Sequence, residues 1–276
     1  MLNIVNPQPS QCKICGGISP LLGVVDFHKS CIEAQGKILN ISGKPIYYRR
    51  CNACGFVFTE AFDDWSPGAF LKYIYNQDYI TVDPDYAGAR SASNAQAVEA
   101  MFPASRAAIS VLDYGGGGGL FARVLGEAGF RATTYDPFSN FSARPQGLFE
   151  LITCFEVMEH VPFPGIAVAD MSGLLAAEGV ILFSTLTQPA NFEELGLRWW
   201  YVAPRNGHVS IYSRHALAIL FEKHGLQLFS LSDLVHLAYR KLPAFAAHLV
   251  HGSQALSPLA KAEIPVSSCP VVLPLT

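Results

Sequence analysis

The sequence contains little charge and has no excess of basic residues. Among 276 residues, lysine and arginine number 19 and aspartate and glutamate number 22, so the formal net charge is −3. Proteins dedicated to nucleic acids present a basic patch or stripe. The basic residues of this chain are scattered apart from short pairs such as Arg49 and Arg50. We therefore expect no nucleic-acid partner.

Long apolar runs are also missing. No stretch approaches the roughly 18–20 uninterrupted apolar residues that a membrane span needs. The most apolar segments, 180–186 and 234–250, are interrupted by polar residues or by Pro243. The first residues lack the basic start and apolar run of a secretion signal. We therefore expect a cytoplasmic protein with no membrane partner.

Cysteine is present in an odd number, and without a secretion signal metal ligation fits better than a disulfide framework. Four of the seven cysteines form two C-x-x-C knuckles, Cys12 with Cys15 and Cys51 with Cys54. A tetrahedral Zn²⁺ takes four thiolates at about 2.3 Å, and each knuckle presents two on one tight turn. Such a closed site folds its module and leaves no position for catalysis. We predict a structural zinc; chance thiols or a redox pair are the alternatives.

Composition divides the chain into four regions. Half of the residues are apolar or aromatic, which is enough to bury a sizeable core. We expect a small zinc-ribbon-like module at 1–60 and an aromatic-rich helical linker or lid at 61–105. An α/β domain at 106–235 and a C-terminal extension at 236–276 follow.

Within 106–235, short apolar strands alternate with amphipathic helices. Strands are predicted at 108–113, 132–136, 151–155 and 180–186, and helices at 119–128 and 165–175, with a turn at Glu178 and Gly179. A further helix, 213–225, has Ser213 as its N-cap and Gly225 as its stop, between two predicted hairpin strands at 209–212 and 227–231. Because crossovers are right-handed, the pattern predicts a doubly wound Rossmann-like, mostly parallel sheet.

A glycine-only turn carries the strongest chemical signal. Residues 111–121 read VLDYGGGGGLF, so an apolar strand ends near Asp113 and a helix follows the glycines directly. Glycine lets the backbone come close to a ligand and adopt positive φ. A second strand ends at Asp136, whose carboxylate can accept both hydroxyls of a ribose. This order predicts a nucleoside site; a glycine-rich turn without a ligand is the alternative.

The segment resembles the first motif of class I S-adenosylmethionine (SAM)-dependent methyltransferases, in which an acid precedes the glycines. Residues 149–162, FELITCFEVMEHVP, are similar to the family's fourth-strand motif, and residues 207–217, GHVSIYSRHAL, to a later "HxxxYSxxxL" segment. The resemblance implies the class I methyltransferase fold and SAM rather than NAD. It covers about 106–230 in the family's order.

The resemblance also implies roles for individual residues. Asp113, Gly115 and Gly117 would line the methionine moiety, and Asp136 would bind the ribose. The residues that we assign to cofactor binding by this resemblance are Asp113, Tyr114, Gly115, Gly117, Gly119, Asp136, Phe138, Cys154, Phe155 and Glu156. Members of the family place another helix and strand after the position of Asp136, and here that stretch is short. We therefore expect a sheet abbreviated at one edge, with Phe138 and Phe141 covering the adenine.

The knuckles resemble those of small-molecule methyltransferases, including enzymes of nucleotide sugars, that carry an N-terminal zinc-binding module. In such enzymes the module helps to form the substrate cleft. Asp26, His28 and Cys31 lie in the loop between the knuckles and could replace a ligand. A hydrogen-bonded loop histidine and an incidental cysteine are the simpler interpretation.

Methyl transfer to an oxygen or a carbon benefits from a general base. His208 is the first candidate, His160 the second, and Tyr212 could orient an acceptor; structural roles are the alternative for all three. Residues 199–201, WWY, form either a substrate contact or a buried anchor. Glu156 and Glu159 could bind a polyol, although solvated loop acids are the default.

We therefore expect a SAM-dependent methyltransferase acting on a small polar acceptor, with a sugar or sugar-nucleotide hydroxyl or carbon favoured. Two rival hypotheses remain from the sequence. One is a zinc-stabilised binding module with a degenerate, inactive SAM site, and the other is an NAD-dependent oxidoreductase. The oligomeric state is not determined by these patterns.

Overall fold

The computed structural model describes residues 8–255, and its N-terminal part is built from short antiparallel strands. The first two strands pair with each other around the first knuckle, and the next three form a meander. Their bounds are Ser10–Gln11 (β1), Ile18–Ser19 (β2), Leu21–Asp26 (β3), Pro45–Arg50 (β4) and Val57–Thr59 (β5). Apolar side chains from this meander are buried with aromatic residues further along the chain.

Two helices connect the meander to the rest of the chain. The first, α1 (Pro67–Tyr73), begins where the Ser66 side chain accepts a hydrogen bond from the Ala69 amide. Proline in its first turn lacks an amide that would have no partner there. The second, α2 (Ala89–Met101), packs against the central domain through residues such as Val98.

Seven further strands and five further helices follow within the described residues, and six of these strands form one sheet. The strands are β6 (Ser110–Tyr114), β7 (Arg131–Tyr135), β8 (Phe149–Phe155), β9 (Leu175–Ser184), β10 (Ser210–Ile211), β11 (Gln227–Ser230) and β12 (Val235–Tyr239). The helices are α3 (Leu120–Glu127), α4 (Pro164–Leu174), α5 (Phe192–Leu195), α6 (Arg214–Glu222) and α7 (Ala247–Ala255). The spatial order of the sheet is β11-β12-β9-β8-β6-β7. β7, β6, β8 and β9 run parallel, and β12 and β11 are antiparallel.

Helices cover both faces of this sheet, because alternate strand residues point to opposite sides. Leu112, Ile152 and Ile181 lie in the core that includes residues of α4 and α6. Their neighbours Val111 and Leu151 lie in the core that includes residues of α2 and α3. The prediction of a doubly wound, mostly parallel α/β sheet is therefore confirmed.

The abbreviated edge is also confirmed. β7 is the last strand on its side of the sheet, and residues 136–148 connect it to β8 without a helix or strand. Asp136 and Phe138 therefore lie at an open edge.

Two predictions of local structure are wrong. Glu178 and Gly179 form no turn but lie inside β9, where a register shift against β8 accommodates them. A Cβ on Gly179 would lie 2.9 Å from the Phe149 carbonyl oxygen, so glycine permits this close strand approach. The strands on either side of α6 also do not form a hairpin with each other. β10 pairs with β5, and the hairpin partner of β11 is β12.

The pairing of β10 with β5 joins the N-terminal and central parts. Because β10 completes the sheet β10-β5-β4-β3, that sheet draws on residues from both 1–60 and 106–235. The division into four regions stays a prediction, and most of the predicted C-terminal extension, 256–276, lies outside the described residues. Within residues 8–255, no helix is long and apolar enough to cross a membrane.

Candidate active site

The glycine turn leaves an open space at the carboxyl end of β6. Gly115, Gly117 and Gly119 have φ values of 75°, 55° and 76°, a region in which other residues are strained. A Cβ on Gly117 or Gly118 would meet no atom within 4 Å among residues 8–255. The turn therefore borders space large enough for a ligand to approach its backbone.

Asp113 lies buried beneath this turn. Its carboxyl is in such close contact with Gly116 that an added Cβ would lie 1.8 Å from Asp113 Oδ2. Oδ2 is buried and has no hydrogen-bond partner within the described part of the chain. Burial, followed by the charge of Asp136, raises the pKa of Asp113 to about 7. A cationic ligand in the open space would favour the ionised carboxylate.

Asp136 connects the turn to the end of β7. Its Oδ2 accepts a 2.8 Å hydrogen bond from the Gly117 amide, and its Oδ1 accepts one of 2.7 Å from the Phe138 amide. The rings of Phe138 and Phe141 are both 45% exposed. Phe141 also lies against Gly119, 3.0 Å from where a Cβ would be. A carboxylate and two exposed rings thus border the same opening.

Three residues assigned to cofactor binding point their side chains elsewhere. The Tyr114 hydroxyl donates to Asp170 on α4 at 3.1 Å. Cys154 is fully buried in the core. Phe155 packs against Phe121 on the opposite face, with 5.7 Å between ring centroids. Their side chains are thus engaged in contacts away from the glycine turn.

A second group of polar side chains consists of Glu156, Glu159 and His160, which follow β8, and His208, whose ring centroid lies 5.0 Å from that of His160. We call it the acceptor-side cluster, after the role expected for its histidines. Glu156 is the one non-glycine residue between 8 and 255 with positive φ, at 56°, and its Oε1 accepts a 2.8 Å hydrogen bond from Ser184. Glu159 is 0% exposed, and its Oε1 accepts a 2.7 Å hydrogen bond from the Tyr201 hydroxyl. The expectation of solvated loop acids is therefore wrong.

The histidines of the cluster are held by backbone carbonyls. His208 Nδ1 lies 2.8 Å from the Tyr201 oxygen, and His160 Nδ1 lies 3.2 Å from the Gly207 oxygen. Burial lowers the pKa of both imidazoles, and that of His208 lies well below its usual value. Burial, followed by the charge of Glu159, raises the pKa of Glu156. These shifts favour neutral imidazoles.

Tyr212 has a different environment from the two histidines. Its side chain is 0% exposed and packs against Phe56, with ring centroids 5.2 Å apart. Its hydroxyl donates to the Met158 oxygen at 2.8 Å. This hydroxyl is already engaged within the core, so the geometry favours a packing role.

The two cysteine knuckles meet as the spacing predicts. One ligand atom from each of Cys12, Cys15, Cys51 and Cys54 lies within 4.8 Å of the others. The Cys12–Cys54 and Cys15–Cys51 sulfur separations are 3.6 and 3.4 Å. Thiolates around one tetrahedral zinc lie about 3.8 Å apart, so this donor set fits Zn²⁺.

Asp26 and His28, which were candidates to replace a zinc ligand, form hydrogen bonds elsewhere. Asp26 accepts hydrogen bonds from the amides of His28, Ser42 and Gly43. His28 Nδ1 contacts the Asn40 oxygen at 2.7 Å. We call the four knuckle cysteines the sulfur cluster, and among residues 8–255 no other side chain joins this group of possible metal ligands.

The sulfur cluster is attached to the central domain through α6 and the chain before it. The Ser213 hydroxyl donates to the Cys54 oxygen at 2.6 Å and accepts the Ala216 amide as the N-cap of α6. Gln188 Nε2 donates to the Gly55 oxygen at 2.8 Å, and Lys223 donates to the Ile14 oxygen at 2.5 Å. Each knuckle is thus fixed by at least one hydrogen bond from the domain.

Sequence reasoning missed two residues of the acceptor side. Arg90 and Asp83 form a buried ion pair of 2.5 Å. The positive charge of Arg90 partly offsets the burial that raises the pKa of Glu156 and Glu159. One available signal was the isolated position of Arg90, the only basic residue in the alanine- and serine-rich helix α2. Tyr201, left open between substrate contact and anchor, is a buried anchor whose hydroxyl holds Glu159.

Comparison with known proteins identifies the family. A family model described as a methyltransferase domain matches residues 86–231, just over half of the chain. The chain belongs to this methyltransferase family. It is a class I SAM-dependent methyltransferase, as the motifs of the glycine turn and fourth strand imply. The match favours SAM over NAD and an enzyme over an inactive binding module.

Relatives of this methyltransferase include ubiquinone biosynthesis O-methyltransferases. That of Aromatoleum aromaticum is 27% identical over 186 residues, which cover 53% of this chain and 78% of the relative. That of Actinobacillus pleuropneumoniae serotype 7 is 30% identical over 107 residues, and the chain spans 46% of its length. A magnesium protoporphyrin IX methyltransferase structure from Synechocystis with bound SAM is 12% identical, with a TM-score of 0.42 over 65% of this chain and 94% of that one.

Proposed function

We propose that this methyltransferase transfers the methyl group of SAM to a hydroxyl oxygen of a small polar acceptor, with sugars and sugar nucleotides favoured. One observation carries the proposal. The open glycine turn follows β6, three residues of the acceptor-side cluster follow β8, and these strands are adjacent and parallel. Ligands of open α/β sheets bind beyond the carboxyl ends of the strands. A donor at the turn and an acceptor at the cluster would therefore meet at one sheet edge.

The donor side is assigned from the turn and the strand ends. SAM supplies an electrophilic methyl group on a sulfonium. We assign its ribose hydroxyls to Asp136, its methionine end to the space above Asp113 and Gly117, and its adenine to Phe138. The raised pKa of Asp113 fits this role, because the positive methionine end would stabilise the carboxylate.

The acceptor side is assigned to the cluster. During transfer the acceptor oxygen forms a bond to the methyl carbon, the sulfur–carbon bond breaks, and its electron pair stays on sulfur. The hydroxyl proton passes to a carboxylate or imidazole of the cluster. We retain His160 and His208 as active-site residues and assign Tyr212 to packing.

The acceptor class follows from the polarity of the cluster. Two carboxylates and two imidazoles are buried or half-buried together, and acceptor hydroxyls would give them hydrogen-bond partners. A pocket that hydrogen-bonds its substrate discriminates strongly against analogues lacking those groups. This polarity supports a sugar-type acceptor. The relatives named as ubiquinone biosynthesis enzymes support a phenol as the second candidate.

We also propose that the sulfur cluster binds one structural Zn²⁺. Its four thiolates complete a tetrahedral set, so the metal would stabilise the N-terminal module. Counting zinc per chain in wild type and Cys51→Ser tests the assignment. One equivalent lost on substitution is expected, and an unchanged count would overturn it.

Calorimetric titration with SAM and S-adenosylhomocysteine tests the donor site. We expect micromolar binding by wild type and at least tenfold weaker binding by Asp136→Asn. The matched control is Glu222→Gln, which removes an exposed carboxylate on α6. Equal binding by Asp136→Asn and the control would contradict the assignment of Asp136.

An acceptor screen tests the chemistry. The zinc-loaded enzyme is incubated with SAM and either sugar nucleotides or catechols, and the methylated product is located by NMR. A methyl group on a sugar oxygen is the expected result. A methyl group on carbon would contradict oxygen transfer, and turnover of catechols alone would replace the sugar with the phenol.

A further inference from the structure

We propose that Glu159, His160 and His208 of the acceptor-side cluster bind one divalent transition-metal cation. Each residue offers one ligand atom, and the three atoms lie within 4.8 Å of one another. Two imidazoles and one carboxylate hold Mn²⁺, Fe²⁺ or Zn²⁺ while leaving coordination positions open. Small side-chain rotations would bring the three atoms onto one ion. Such a site is separate from the sulfur cluster in both ligands and position in the sequence.

Backbone carbonyl contacts determine which ring nitrogen of each imidazole carries the proton. In both His160 and His208, Nδ1 contacts a backbone carbonyl oxygen, which can only accept a hydrogen bond. Nδ1 must therefore carry the proton, and Nε2 keeps its lone pair. Metal-binding histidines typically donate their second nitrogen to a carbonyl or carboxylate in this way.

Glu159 supplies an oxygen that lacks a partner. Its Oε1 accepts the Tyr201 hydroxyl, whereas its Oε2 is buried and makes no hydrogen bond to residues 8–255. Leaving a buried carboxylate oxygen unpaired is unfavourable. A cation at this position would supply the missing interaction.

The charge around the cluster also favours a cation. Glu156 and Glu159 are two acids in one buried region, and the nearby Arg90 is already in an ion pair with Asp83. The two carboxyls add negative charge to one buried region whenever they ionise. Burial of such charge is stabilised when a cation binds.

Cys31 lies beside His208 but does not extend the donor set. Its sulfur is 3.9 Å from His208 Nδ1 and 4.0 Å from Nε2. Nearly equal distances place the sulfur beside the ring, away from the line of the Nε2 lone pair. The site therefore offers nitrogen and oxygen ligands, which suit Mn²⁺ better than thiolates do.

The role of the metal rests on the proposed function, whereas its binding does not. A bound cation would coordinate the acceptor oxygen and lower the pKa of its hydroxyl. Since both imidazoles and Glu159 hold the metal, Glu156 is left to receive the proton.

The test uses the full zinc-loaded chain, so that the sulfur cluster is already filled. Mn²⁺ is titrated into the protein, and the signal of unbound Mn²⁺ is followed by electron paramagnetic resonance. Metal analysis then measures whether a second equivalent of zinc binds. The variants are Glu159→Gln, which keeps an oxygen for Tyr201, and His160→Asn. His215→Asn is the matched control, because His215 is an exposed histidine on α6. Retained binding of S-adenosylhomocysteine and an unchanged circular dichroism spectrum establish that each variant is folded.

One added equivalent of metal is expected in wild type and in His215→Asn, with at least tenfold weaker binding in the other two variants. Neither Mn²⁺ nor a second zinc in folded wild type would overturn the proposal. Wild-type affinity in folded Glu159→Gln would also overturn it. Metal binding without any binding of S-adenosylhomocysteine would leave the metal site standing and reject the donor site instead.

Discussion

The proposed donor and acceptor sides of the active site are assembled in different ways. On the donor side, residues 113–119 and Asp136 occupy consecutive strand ends, and backbone amides supply the contacts. On the acceptor side, residues 156–160 meet His208 from beyond α5, and Tyr48 and Tyr79 hydrogen-bond to the backbone of His208 and Asn206. The proposed donor side is local in sequence, whereas the proposed acceptor side takes hydrogen bonds from Tyr48 and Tyr79, which lie outside the matched residues 86–231. We therefore expect acceptor specificity to depend on residues outside the matched family domain.

Removal of zinc is the strongest test of this dependence. We expect the Cys54→Ser variant, or wild type after chelation, to lose ~3 kcal/mol or more of unfolding free energy. We expect the N-terminal module and the central domain to unfold in one thermal transition, because the Cys54 carbonyl accepts a hydrogen bond from the Ser213 hydroxyl at the start of α6. Calorimetry provides the measurement. Two separate transitions, with the domain unaffected, would show that the module is independent.

The donor side is tested by a pair of glycine substitutions. In Gly116→Ala the new Cβ would lie 1.8 Å from Asp113 Oδ2, whereas in Gly118→Ala it would meet no atom within 4 Å among residues 8–255. We expect the first to lose ~1–3 kcal/mol of stability and at least tenfold in S-adenosylhomocysteine affinity. The second should keep wild-type stability. Equal stability of the two variants would contradict the packing of Asp113 under the turn.

The pH dependence of SAM binding tests the electrostatics of the same residue. The pKa of Asp113 is raised from 3.8 to about 7 in the folded chain. The neutral acid therefore contributes stability that is fully present below pH 3.8 and lost as pH rises through about 7. The proposed donor site requires the ionised form of Asp113, so we expect SAM affinity to fall as pH drops below 7. Asp113→Asn should bind SAM weakly without this dependence and should melt higher than wild type above pH 7.

The smallest effect is expected from two tyrosines on the acceptor side. Tyr201→Phe removes the donor to Glu159, and Tyr212→Phe removes the donor to the Met158 oxygen. Each should lose about 1 kcal/mol of stability, the usual contribution of a buried hydrogen bond. Only Tyr201→Phe should also slow methyl transfer or weaken Mn²⁺ binding. Slower transfer by Tyr212→Phe at unchanged stability would restore a catalytic role for Tyr212.

Much of the donor side and of the sulfur cluster could be predicted, because their signals are local. The glycines that follow Asp113 directly indicate a tight turn, and pairs of cysteines with two residues between them directly indicate a metal-binding knuckle. The turn at Glu178 and Gly179 was wrong because glycine there serves a close strand contact. The pairing of β10 with β5, the burial of Glu159 and the contact of Arg90 with the cluster depend on contacts between distant segments. Periodicity does not encode such contacts.

The short connection between β7 and β8 also bears on how strictly the donor is recognised. It leaves aromatic faces at Phe138 and Phe141 beside the opening and no additional helix to frame the base. Flat rings hold a heterocycle by stacking, which tolerates changes at its edge. We therefore expect donor analogues altered on the base to compete with SAM almost unimpaired, and analogues lacking a ribose hydroxyl to compete poorly. This enzyme would then be a natural starting point for transferring labels from base-modified donors.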